Sequence, residues 1–118
     1  MNELHEKIKN IADKEGWSVD ITDNGDDCYT FTFQKFSPYG QDFSFDVDLE
    51  DNNIETLIDG IHQYYFDFDV SYETYLCLDN EGHGKNGAPY DMKDIYEDME
   101  DRAQMIRDLY NTFRQNNW

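Results

Sequence analysis

Asp42-Phe43-Ser44-Phe45-Asp46-Val47-Asp48 alternates polar and apolar residues without a break. Period two is the repeat of a strand buried on one face, so Phe43, Phe45 and Val47 are predicted to face a core while Asp42, Ser44, Asp46 and Asp48 face away from it. The same alternation runs upstream, where Tyr29, Phe31 and Phe33 interleave with Cys28, Thr30 and Thr32, and earlier still at Trp17, Val19 and Ile21. Asn24-Gly25 offers a turn between the first two runs and Ser37-Pro38-Tyr39-Gly40 one between the second and third. Three antiparallel strands with one aromatic face follow.

Helical spacing takes over on either side. Leu4, Ile8, Ile11 and Ala12 recur at three and four residues, and Gly16 stands where a left-handed cap belongs, so residues 2–15 are predicted to form an amphipathic helix. Asn53 is a good N-cap for a second helix carrying Ile54, Leu57, Ile58, Ile61 and Tyr65. Residues 66–78 fit either a strand followed by a helical turn capped by Ser71 or two short irregular pieces, and a short helix is the expectation. The glycines between 79 and 90, with Pro89, dictate a loop. Asp91, with Asp94 three residues on, then opens a long helix bearing Ile95, Met99, Ile106, Leu109, Tyr110 and Phe113. The expected fold class is α+β: a three-stranded antiparallel β-meander packed by an N-terminal helix, a middle helix and a long C-terminal helix.

Composition bounds what this fold can do. The chain has 27 Asp and Glu against 9 Lys and Arg in 118 residues, a formal net charge of −18, yet 16% of its residues are aromatic. Acidic disordered segments are poor in aromatic residues because they build no core, so the charge here is expected on a rigid surface of one acidic domain over residues 1–118. The start lacks a basic region followed by an apolar run, and no apolar stretch approaches membrane-spanning length; the expectation is a soluble, cytoplasmic protein with no membrane partner. Cys28 and Cys77 lack close spacing or secretory context and read as buried thiols rather than a bridge.

Motifs for chemistry are weak. Gly82-His83-Gly84-Lys85-Asn86-Gly87 fits the letters of the dinucleotide fingerprint, but no parallel βαβ unit surrounds it, Ala88-Pro89-Tyr90 separates it from the next helix, and its neighbourhood repels phosphate. Calcium-loop windows starting at Asp46, Asp67 and Asp79 each end on a residue other than Glu, namely Leu57, Leu78 and Tyr90. His5, His62 and His83 stand in no catalytic pattern, and no Ser or Cys sits in a nucleophile elbow. No catalytic residue, metal or cofactor is expected, and the chain reads as a non-enzyme. A small metal-dependent enzyme centred near His83 is the remote alternative.

Acidic stripes carry more information. Between Asp20 and Asp101 there are twenty-two acidic residues and only Lys35, Lys85 and Lys93 to oppose them. On the third strand Asp46, Asp48 and Glu50 alternate outward about 6.6 Å apart, similar to the phosphate interval along one nucleic-acid strand. On the last helix Asp91, Asp94, Asp98 and Asp101 recur at i, i+3, i+7 and i+10 and are expected to line one exposed face with Glu97 and Glu100 at its edges. A solvated surface kept for solubility or salt adaptation is the bland explanation. Against it stands the run Asp94 to Asp101, which offers no lysine at the stabilising i+4 positions and so retains repulsion at some cost.

The block Phe36-Ser37-Pro38-Tyr39-Gly40-Gln41-Asp42-Phe43-Ser44-Phe45, continuing to Asp48, together with Gly82 to Tyr90 and the acidic helix after it, resembles small uncharacterised proteins of bacterial mobile elements. In size and charge the chain is similar to the DNA-mimic proteins with which phages and plasmids inhibit restriction or CRISPR nucleases. The resemblance implies a non-enzymatic inhibitor, cytoplasmic in a bacterial host cell, that occupies the basic surface of a nucleic-acid-binding protein such as a defence nuclease and does not itself bind nucleic acid. Asp46, Asp48, Glu50, Asp91, Asp94, Glu97, Asp98 and Asp101 are its expected partner-binding residues. An acidic interaction or regulatory module with a partner unrelated to nucleic acid is the alternative. Oligomeric state is left open.

Overall fold

The alternating runs pair as an antiparallel meander in the order β1 (Ser18–Gly25), β2 (Cys28–Phe36), β3 (Asp42–Glu50) in a computed structural model that describes residues 2–118. Around it lie α1 (Glu3–Lys14), α2 (Ile54–Asp67), α3 (Val70–Leu76) and α4 (Met92–Gln115). The class is α+β, as the patterning predicts.

Register explains the two faces. Val19 pairs with Phe33 and Ile21 with Phe31, while Phe31 pairs with Val47 and Phe33 with Phe45, so the aromatic side chains share one face. Helices α1, α2 and α4 close over that face. Ile8, Trp17, Phe31, Phe33, Leu49, Leu57, Ile61, Ile106, Leu109 and Phe113 are buried in one hydrophobic cluster. Each such side chain contributes roughly 1.5–3 kcal/mol when fully withdrawn from water. Gly60 sets the approach of α2: a Cβ there would lie 2.4 Å from Cγ1 of Val47 on β3.

Caps and turns fix the ends. Asn2 accepts the His5 amide at the start of α1, and at its end the amides of Gly16 and Trp17 donate to Asp13 and Ala12, with Gly16 at φ +88°. That is the double hydrogen-bonded left-handed cap the glycine predicts. Asn53 caps α2 as expected, its side chain accepting the Glu55 amide. Two expectations shift. The β1–β2 connection is made by Asp26 and Asp27, both left-handed, while Asn24-Gly25 lies within β1 at a bulge. Two successive residues at positive φ match the twist of a two-residue hairpin, and Asp tolerates that region. The short helix α3 exists, but Asp69 rather than Ser71 caps it, accepting the Tyr72 amide.

Helix α4 sets the long axis. Its 24 residues span about 36 Å at 1.5 Å each in a molecule of 49 × 27 × 21 Å. Arg102 lies over the Phe43 ring, 5.5 Å from its centroid, at the beginning of β3. The part of α4 before Arg102 packs on α3 and the 77–90 segment instead of on strands. No helix among the described residues is long and apolar enough to cross a membrane.

Candidate functional site

The outer face of the sheet carries a carboxylate ladder. Asp42, Asp46, Asp48 and Glu50 of β3 are all exposed, and Asp20 of β1 joins them because it pairs with Thr32, which in turn pairs with Asp46. The central strand supplies neutral donors. Thr30 Oγ1 donates to Asp48 at 2.8 Å, Thr32 Oγ1 to Asp46 at 2.6 Å and Gln34 Nε2 to Asp42 at 2.5 Å. Asn24 Nδ2 in turn donates to Thr30 Oγ1 at 2.7 Å. Hydrogen bonds from hydroxyl and amide groups orient these carboxylates without neutralising them. Lys35 is directed to the opposite face, where its Nζ lies 5.6 Å from the Trp17 ring centroid. Among the described residues, Asp98 is the only carboxylate within ion-pair distance of a Lys or Arg.

Asp98 does not belong to an acidic face. It is 1% exposed, and its Oδ2 accepts from Arg102, 2.8 Å from Nη2 and 3.0 Å from Nε. Its Oδ1 is buried without a protein hydrogen-bond partner. The reason lies in helical spacing: Ile95 three residues before it and Met105 seven after it are both buried, so position 98 falls within the apolar stripe. Arg102, at i+4, is the cation that a search limited to lysine overlooks. The expected row of four therefore breaks. Asp91 is exposed and Asp94 and Asp101 are half-buried, with Glu97 half-buried beside them.

Asp94 and Glu97 are tied instead to the β2–β3 turn. Tyr39 Oη donates to Glu97 Oε2 at 2.8 Å and lies 3.5 Å from Asp94 Oδ1. The hydrogen bond to Glu97, reinforced by desolvation and the nearby negative charges, pushes the Tyr39 pKa up to about 12. Asp91 is the N-cap of α4 by backbone geometry, but its side chain makes no capping hydrogen bond, and Asp94 turns to Tyr39 rather than back to the cap. The β3 ladder and the α4 carboxylates thus lie on different layers, with Asp94 and Glu97 held by Tyr39 of the β2–β3 turn.

The glycine-rich loop is folded on itself. Asp79 Oδ1 accepts the amides of Glu81 and His83, which hold its carboxyl below the usual range. The Gly84 amide donates to the Tyr90 carbonyl at 2.9 Å, and a Cβ on Gly84 would meet the Pro89 oxygen at 1.8 Å. His83 stacks on Tyr90 with centroids 4.2 Å apart. Gly84 serves a tight chain crossing while Gly82 and Gly87 turn the chain at positive φ, and Ala88-Pro89-Tyr90-Asp91 keeps the loop from opening α4 as a phosphate-binding turn. No group of three or more His, Cys, Asp or Glu poised to hold a metal ion occurs among the described residues. His5 is buried between Asn2, Asn52, Tyr29 and Phe31 as a packing residue. Cys28 and Cys77 are both free thiols, half-buried rather than buried as expected, and desolvation raises the Cys77 pKa.

A second feature has no counterpart in the charge pattern. Between α3 and α4 runs a groove of about 660 Å³ lined by Thr74, Tyr75, Leu78, Met92 and Tyr96, with Glu97 and Glu100 along it. Tyr75 and Leu78 come from the segment whose periodicity is ambiguous and Met92 and Tyr96 from the first turns of α4, so no single sequence pattern marks the groove. Comparison with protein-family models, with curated proteins and with solved structures gives no match.

Proposed function

We propose that this protein is a non-enzymatic acidic inhibitor whose sheet ladder occupies the basic nucleic-acid-binding surface of another protein, of the kind presented by a bacterial defence nuclease. What supports the reading is charge density. The 7196 Å² of surface shared among 18 net negative charges gives about 400 Å² each, far below duplex DNA at roughly one per 110 Å² for a cylinder about 20 Å wide. The outer sheet face is different. Three strands about 4.8 Å apart and eight residue steps of about 3.3 Å give a flat sheet area of roughly 380 Å², and it carries Asp20, Asp42, Asp46, Asp48 and Glu50. That is roughly one charge per 75 Å² of sheet plane, comparable to a duplex. Arg and Lys side chains that grip phosphates grip carboxylates by the same charge-assisted hydrogen bonds.

The test is a pull-down from bacterial lysate at low and high salt, followed by DNA-competition assays on any nucleic-acid-binding protein recovered. A competitor displaced by DNA, released by salt and lost on changing Asp46, Asp48 and Glu50 together to Lys is the expected result. If that triple reversal binds as well as the parent, the ladder is not the binding surface. Recovery of a partner that ignores DNA favours the second reading, an acidic interaction module, for which the α3–α4 groove is the supporting observation.

A further inference from the structure

We infer that the α3–α4 groove is a docking site for a basic amphipathic helix of a partner protein. Exposed large apolar side chains line the groove from both walls: Tyr75 on α3, and Met92 and Tyr96 on α4. Tyr75 is 69% exposed. Tyr and Met are the residue types enriched at the centres of protein interfaces, and contiguous exposed apolar surface is rare on monomers that have no partner.

Charge decides the occupant. Glu97 and Glu100 run along the groove with Lys93 as its only cation, and Asp91, Asp94 and Asp101 flank it on α4. A second copy would bring another −18 against this −18, a repulsion opposed only by the apolar contact. A cationic partner gains from the same field. Backbone chemistry decides the partner's conformation. The walls are two helices whose amides and carbonyls are already paired within them, so an extended peptide would find no ladder to join. A helix carries its backbone bonds internally and presents apolar anchors at i, i+3, i+4 and i+7 to the groove while its basic face meets the acidic rim.

The groove is a different surface from the β3 ladder, and variants in each keep the two apart. The probe is a fluorescent Leu/Lys peptide of about 18 residues with Leu at helical spacing, and its Leu/Glu counterpart is the control. Anisotropy titration should show saturable one-to-one binding of the Lys peptide, no binding of the Glu peptide, and a gain of peptide helicity by circular dichroism. Tyr75→Ala with Tyr96→Ala, both exposed, should weaken binding at least tenfold. Asp46→Asn with Asp48→Asn should leave it within twofold. Absence of binding, or binding that the ladder variant loses and the groove variant keeps, would overturn the inference, and so would a concentration-dependent dimer that Tyr75→Ala dissociates.

Discussion

Asp98 and Arg102 meet one turn apart on α4, 2.8 Å between Oδ2 and Nη2, with the carboxylate 1% and the guanidinium 15% exposed in their side chains. A buried charge is stable only with its partner, and removing one member typically costs about 3–5 kcal/mol, whereas replacing both by apolar residues of similar size is often neutral or better. Asp98→Ala should therefore destabilise by about 3 kcal/mol or more, and Asp98→Lys should prevent folding. Asp98→Leu with Arg102→Met should return to within about 1 kcal/mol of the parent. Urea denaturation of the single and double variants decides it; a double variant no better than Asp98→Ala would contradict the account.

Gly60 predicts a second coupling. A Cβ at this position would lie 2.4 Å from Cγ1 of Val47, so α2 cannot keep its distance to β3 with alanine there. Overpacking of this kind costs about 1–3 kcal/mol. Gly60→Ala should be destabilising by that amount in the native background and much less in Val47→Ala, giving a favourable interaction energy of about 1 kcal/mol in a double-mutant cycle. Additive losses would mean that the helix simply shifts.

Tyr39 provides a pH signature. The chain has nine tyrosines, and the one hydrogen-bonded to Glu97 is pushed up to about 12. Its folded pKa is raised, so the contribution of this contact is fully present below the unfolded value near 10 and is lost as pH rises towards 12. Burial also raises the Tyr64 pKa, so ultraviolet titration should show a late component to which both phenols contribute. Tyr39→Phe should reduce that component by one phenol, whereas Glu97→Gln should bring the same phenol down towards the others. A late component unchanged in Tyr39→Phe would assign it to Tyr64 instead.

The strands were legible because period-two alternation is unambiguous from Tyr29 to Phe33 and from Asp42 to Leu49, and with β2 and β3 joined through residues 37–41 the pairing of Thr32 with Asp46 follows from the loop length. Charge patterning was less reliable. Spacing of i, i+3 and i+7 groups Asp91, Asp94 and Asp98, but the same spacing links Asp98 to Ile95 and Met105, and only the second relation reports burial. The Tyr39 contact to Glu97 spans 58 residues and has no local trace. Asn24-Gly25 drew the first turn too early because Asp26-Asp27 is the less familiar of two competing left-handed pairs.

Salt should stabilise this protein. Its carboxylates on the sheet are oriented by Thr30, Thr32 and Gln34 and face no cation, so low ionic strength leaves their mutual repulsion intact. The Debye length falls from about 30 Å at 0.01 M to about 8 Å at 0.15 M, a range that spans the ladder at one limit and separates its ends at the other. Relief of about 1–2 kcal/mol corresponds to a rise in Tm of roughly 3–10 °C for a domain of this size. Magnesium chloride at matched ionic strength should do no more than sodium chloride, because no clustered ligand set exists among the described residues to bind it tightly. Asp46→Asn, Asp48→Asn and Glu50→Gln combined should raise Tm at low salt and flatten its salt dependence. Thermal melts followed by circular dichroism across that range check all three arms; a Tm that falls with salt would mean that attractive pairs, not unpaired carboxylates, dominate the surface.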